Sequence, residues 1–359
     1  MTTSRRASIR GWLALALAPL SACTLLVDTK GLAGGGDDGG PPSDAGPEAS
    51  ALPDGGARDS GDAAPRAPRA WRRLDVTGPS RRHSMRAAFD ERRGRVVMFG
   101  GQGAGGRFGD TWEWDGAEWR ERPSVNGPPI RQGYGLAFDS ARGKTIMFGG
   151  HDTATNVWEL DTQWTARSSA GLPNRLAGFS AAYDARRARV IGFGGHDNTG
   201  PVGDTYAWDG SSVTKLSPAS TPPRLRGHAM VYDAARDRIV LFGGLLANGG
   251  FSGAVWLWDG STWSRSPATG PSERIPGCMT YDAGTERVVM FGGRRDGLRF
   301  DDTWYWDGVS WSPGPKGPSE RRSCAMAYDS ARDVIVLFGG TGRNGPDDRD
   351  GLDDTWILQ

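Results

Sequence analysis

From residue 71 onward, short apolar runs and polar turns alternate at a nearly constant interval. The stretch "RVVMFGG" at 95–101 is written again, letter for letter, at 287–293, with the variants "KTIMFGG" from 144, "RVIGFGG" from 189, "RIVLFGG" from 238 and "DVIVLFGG" from 333. Their phenylalanines, at 99, 148, 193, 242, 291 and 338, are spaced by 49, 45, 49, 49 and 47 residues. Nine residues ahead of each stands an aromatic-Asp pair: Phe89-Asp90, Phe138-Asp139, Tyr183-Asp184, Tyr232-Asp233, Tyr281-Asp282 and Tyr328-Asp329. Alternation ending in aromatic-Asp, a short polar stretch and then four apolar residues before Gly-Gly predict two strands joined by a tight turn, in which Asp bonds its own backbone. Further along each unit, "DTWEWDGAEW" (110), "NVWELDTQW" (156), "DTYAWDGSSV" (204), "AVWLWDGSTW" (254) and "DDTWYWDGVSW" (301) place Asp-Gly or a variant between alternating aromatics, a short-range hairpin signal. The last unit stops in "DDTWILQ" (353).

These residues resemble kelch repeats, the units of the galactose oxidase central domain and related propellers, and the resemblance covers residues 71–359. It implies an all-β fold, a six-bladed kelch-type β-propeller with four antiparallel strands per blade, whose radial arrangement leaves only short protected edges. The segment "AWRRLDVTGPS" (70–80) resembles fourth strands such as "EWRERPSVNGPP" (118). The sixth blade is therefore expected to be closed by the N-terminal strand near Trp71, joining the chain ends.

Composition supports this and narrows the partners. Fifty-five glycines, 23 prolines and 15 tryptophans fit turn-rich β structure. Lys and Arg number 43 against 42 Asp and Glu, so no overall field draws in nucleic acid or an anionic membrane surface. No nucleic-acid partner is expected, and the domain is expected to be a monomer.

Ahead of the repeats the pattern vanishes. Residues 1–10 carry Arg5, Arg6 and Arg10 with no acid, and an apolar run at 12–20 follows, too short to cross a bilayer as a mature helix. It ends in Leu20-Ser21-Ala22-Cys23, which resembles a bacterial lipobox. That resemblance implies a lipoprotein signal peptide at 1–22, lipidation of Cys23 and membrane contact through the lipid anchor only. An ordinary signal peptide cut after a small residue is the alternative. Thr24 in place of Asp suggests an outer-membrane or cell-surface lipoprotein of a Gram-negative-type bacterium. Residues 23–70, dominated by Gly, Ala, Pro and Asp, read as a disordered tether.

Candidate chemistry lies where the repeat is silent. The diglycines read as sites of close backbone approach, and the tryptophans as wedges between blades. In kelch propellers one face is built from the loops joining second to third strands and from the links between blades. An arginine stands eight or nine residues before each repeat Asp: Arg82, Arg131, Arg175, Arg224, Arg274 and Arg321. Six guanidiniums around one opening would attract carboxylates or phosphates, as arginines do in the kelch module that binds an acidic peptide in the animal oxidative-stress sensor; pairing with a nearby Asp or carbonyl is the structural alternative. On the same face His151-Asp152 and His196-Asp197 follow two of the diglycines and offer donors to a ligand or a divalent cation. The late loop carries Asp347, Asp348, Asp350, Asp353 and Asp354; its D-x-D-G fragment lacks the twelfth-position Glu of a calcium loop, so Asp348 and Asp350 join the histidines only as weak metal candidates and calcium as a weak cofactor. No other cofactor is expected. Cys278 and Cys324 occupy corresponding inner strands offset by one position and can face each other as a disulfide.

No catalytic set stands in register. The leading expectation is a non-catalytic, tethered binding module that presents a loop face to a peptide, glycan or protein. The rival is a carbohydrate-active enzyme resembling the exported kelch mutarotase of sialic acid, for which Arg226, His228 and Glu273 are the available residues. A structural envelope protein is the third reading.

Overall fold

The computed structural model describes residues 68–151, 157–173, 175–342 and 351–359. The signal peptide, Cys23, the tether as far as residue 67, Asp152, Asp347, Asp348 and Asp350 lie outside the described residues.

Six four-stranded antiparallel sheets follow one another around a central axis as the blades of a propeller, and no helix occurs among the described residues. Blade one holds Arg86–Asp90, Arg95–Gly103, Gly106–Trp114 and Trp119–Arg122 from axis to perimeter; blade five repeats it with Ile275–Asp282, Arg287–Arg295, Leu298–Trp306 and Trp311–Pro313. Second strands such as Lys144–Phe148 and Val334–Phe338 are apolar on both sides because each blade face meets a neighbouring blade. This explains the unbroken "VVMF" runs, since a strand buried on both faces loses the polar half of its alternation. Phe99, Phe148, Phe193, Phe242 and Phe291 are fully buried.

The two copies of "RVVMFGG" are the second strands of blades one and five. Their glycines turn because nothing larger fits: a Cβ on Gly292, at φ +63°, would lie 2.5 Å from the Arg321 carbonyl of the next blade. Blade six is closed by Trp71–Leu74, in the register Trp71↔Leu358 to Leu74↔Thr355, as expected. Trp71 also repeats the packing of true fourth strands. Its indole Nε1 donates to Thr303 Oγ1 of blade five at 2.9 Å, as Trp119 does to Thr355, Trp164 to Thr111 and Trp263 to Thr205. Ordered contacts begin ahead of that strand: Ala70 exchanges backbone hydrogen bonds with Gln359, and Arg69 is buried.

The repeat aspartates cap the first turn of every blade, as in Asp90 accepting from Arg93 N at 3.0 Å and Asp139 from Arg142 N at 3.0 Å. The arginine of that turn crosses to the next blade and lies against the Gly of its Asp-Gly hairpin: Arg142 on Gly210, Arg187 on Gly260, Arg236 on Gly308 and Arg332 on Gly116. Blade two carries Thr162 instead of Gly, and there Arg93 of blade one turns back to Glu113 at 2.5 Å. Cys278 and Cys324 form a disulfide between blades five and six, with Cα atoms 5.4 Å apart.

Candidate functional site

The two ends of the central channel differ in chemistry. At the end formed by the repeat aspartates a funnel of about 320 Å³ is lined by Met230, Met279, Met326 and a ring of Phe89, Phe138, Tyr183, Tyr232, Tyr281 and Tyr328. The tyrosine hydroxyls are spent on the rim: Tyr232 on Asp237 at 2.9 Å and Tyr328 on Asp333 at 2.8 Å, while Tyr281 accepts from Ala235 N at 3.1 Å.

At the opposite end the unlike loops after each Gly-Gly surround a mouth of about 420 Å³. Arg86, Arg226, Arg294 and Arg322 line it with His83, His151, Gln102 and Gln132, and no described lining residue is a carboxylate. Arg86 lies deepest. Its register in the other blades holds Gly135, Ser180, Ala229, Cys278 and Ala325, so one long cation stands where the other five blades carry small side chains. Burial pushes its pKa below the ordinary value for a guanidinium. Nη1 donates to the Met85 carbonyl at 3.3 Å, and among the described residues no carboxylate pairs with it.

A ring of left-handed residues frames the throat two positions earlier. Glycine serves at Gly133, Gly178 and Gly227, with φ of +67°, +67° and +69°, but Ser84 and Ser323 adopt φ of +61° and +56° at the same register. A side chain there costs on the order of 1 kcal/mol, a strain that persists mostly where the surroundings or a function over-determine it. The two serines are neighbours around the ring, Ser84 N donating to the Ser323 carbonyl at 2.8 Å, and both line the mouth beside Arg86. Ser84 Oγ lies 2.9 Å from His83 Nδ1.

The six predicted arginines divide by register. Arg82, Arg131, Arg274 and Arg321 stand eight residues before the repeat Asp and are 2 % exposed or less. Arg82 Nη1 meets Asp110 at 2.7 Å, Arg274 Nη1 meets Asp302 at 2.6 Å, and Arg321 grips Asp354 through both nitrogens at 2.7 and 2.9 Å. Arg82 also stacks on Phe108 and Arg274 on Phe300. Burial alone would raise the Asp354 carboxyl, but the Arg321 bonds hold it below the usual range. These four are buried in the walls of the blades, and none of them lines the mouth. Arg175 and Arg224 stand one residue earlier and are not buried; their blades place Leu176 and Leu225, both fully buried, in the arginine slot.

The remaining candidates are dispersed. His151 Nε2 and Nδ1 face Arg175 Nη2 at 2.8 Å and Arg107 Nη2 at 3.4 Å, a surrounding that opposes a metal cation. Asp197 caps its own turn through Thr199 and Gly200, which hold its carboxyl below the usual range. His196 pairs through its backbone with Ala177 and Pro201. Asp353 faces Arg81 at 3.5 Å. No cluster of three or more metal-ligand side chains forms among the described residues. Of the enzyme candidates, Arg226 lines the mouth, Glu273 pairs with Arg295 at 3.1 Å, and His228 is 1 % exposed. Burial and then the Arg86 charge push the His228 imidazole down to about 3, so it stays neutral.

Arg86, Ser84 and Ser323 escape a search for repeated residues because they are departures from the repeat. Their signal in the sequence is that departure. No curated protein matches the chain. Residues 205–359, from the third strand of blade three to the C-terminus, match the KLHDC2/KLHL20/DRC7 Kelch-repeats domain.

Proposed function

We propose that the chain is an exported, lipid-anchored interaction module whose mouth receives an anionic group of a peptide, glycan or protein partner. The observation that carries this reading is the pairing of a basic lining, with no carboxylate among its described residues, with Arg86 at its foot, flanked by two serine hydroxyls held in the left-handed region. A guanidinium presents several donors in one plane and makes its strongest hydrogen bonds to carboxylate or phosphate oxygens. A peptide and glycan array with the purified full-length protein tests the reading: acidic members bound and neutral counterparts ignored support it, and equal capture of both refutes it. The anchor at Cys23 and the outer-membrane or cell-surface location rest on the sequence; incorporation of labelled fatty acid that Cys23→Ala abolishes supports them, and incorporation that survives the change refutes them.

A further inference from the structure

The seam between blades five and six lacks a part that four of the other five seams have. In blade three, Arg187 three residues after Asp184 bridges its own aspartate at 3.2 Å and Asp237 of blade four at 3.0 Å, while Tyr232 donates to the same Asp237. In blades two, four and six the equivalent arginine reaches the backbone carbonyl of the left-handed residue at that place in the next blade: Arg142 to Ala188 at 3.1 Å, Arg236 to Glu286 at 2.9 Å and Arg332 to Gly94 at 3.3 Å, while Arg93 of blade one turns back to Glu113. Blade five carries Thr285 at this register, too short to cross. Arg69 occupies the position instead. Its Nη2 donates to Asp282 at 3.0 Å and to Asp333 Oδ1 at 2.7 Å, its Nη1 donates to the Asp333 carbonyl at 3.0 Å, and Tyr328 donates to that same Asp333.

The geometry points to Arg69 as a latch: a residue from outside the repeats that replaces the missing blade-five arginine and makes closure of the five–six seam depend on docking of the chain that leads into the propeller. The seam carries a second clamp at the axis, the Cys278–Cys324 disulfide, so its inner and rim ends are held by separate devices. Blades five and six also bring Arg294, Arg322 and Ser323 to the mouth, so the latch supports the walls of the binding site from the opposite end of the disc.

Arg69 side-chain exposure is 6 %, so truncation leaves Asp282 buried without its cation. In the full-length protein Arg69→Ala lowers the melting temperature by about 6–10 °C. Adding Thr285→Arg, which restores the arginine of the other blades, recovers at least half of that loss. With the latch removed, native-state reduction and thiol labelling of Cys278 and Cys324 accelerate at least about 10-fold, because the seam opens locally. Should Arg69→Ala not fold, Arg69→Lys is compared with and without Thr285→Arg in the same assays. The inference is overturned if the arginine variant melts within about 1 °C of the parent, if Thr285→Arg recovers nothing, or if labelling is unchanged. It stands or falls independently of any ligand, since none is used.

Discussion

Blades four and five contain two solutions to one packing problem, and exchanging them is a quantitative test. In blade five Arg274 is 2 % exposed; it donates from Nη1 to Asp302 at 2.6 Å, from Nε to the Ser272 carbonyl at 2.9 Å, and lies 3.6 Å over the Phe300 ring. Blade four fills the same two positions with Leu225 and Ala254. Arg274→Leu alone leaves a carboxylate one-third exposed and without its cation, so the cost for a buried pair, reduced for that exposure, is about 2–4 kcal/mol. At roughly 2 °C per kcal/mol for a domain of this size, melting should fall by about 4–8 °C. Arg274→Leu with Asp302→Ala recreates the blade-four pair and removes the stranded charge. It loses the Trp304 Nε1 bond to Asp302 at 2.8 Å, as Trp256 already lacks one beside Ala254, so the double variant should melt within about 2 °C of the parent. Circular dichroism melts of the parent, single and double variants decide it. A double variant as unstable as the single one refutes the reasoning.

Three further outcomes follow from the same contacts. His228 is buried neutral with its pKa pushed down to about 3, so the unfolded chain binds one proton more between that value and about 6.5, and stability at this residue is lost as pH falls through that window. His228→Phe, which copies Phe179 of blade three, should therefore resist acid better, gaining about 2 kcal/mol relative to the parent between pH 6.5 and 4.5 in denaturant titrations; parallel acid sensitivity of the two proteins contradicts this. Replacing Cys278 and Cys324 by Ser opens a loop of 46 residues and should lower melting by about 4–8 °C, and a variant that melts like the oxidised parent contradicts the clamp. Deleting residues 68–76 removes the outer strand of blade six and should abolish cooperative unfolding of the whole domain, because each blade covers its neighbours' faces; loss confined to blade six in hydrogen exchange contradicts circular closure.

The repeat was legible because each blade solves one steric problem in one way. Phe-Gly-Gly marks a wedge followed by a backbone crossing, and Trp71 is recognisable as a fourth strand because its spacing and apolar contact match Trp119 and Trp164. The site was less legible for a reason built into β structure. Successive side chains of a strand point to opposite faces, so an arginine eight residues before the Asp enters the blade wall and one nine residues before it stays outside that wall. Grouping Arg82 with Arg175 merged two roles that a single position separates. The mouth residues Arg86, Ser84 and Ser323 were hidden for the opposite reason, since only comparison of blades shows that small residues belong at those registers. The latch at Arg69 was invisible because composition assigns it to the tether.

The most direct measurement is the affinity of the full-length protein for its best acidic peptide or anionic glycan from the array, with Arg86→Met compared against Arg274→Leu/Asp302→Ala. Loss of a charge-assisted contact at the foot of the mouth should weaken binding about 10- to 100-fold in Arg86→Met and leave melting within about 2 °C, while the blade-wall variant binds like the parent. Unchanged affinity in Arg86→Met, with loss in the blade-wall variant, would contradict the assignment of the mouth as the binding site.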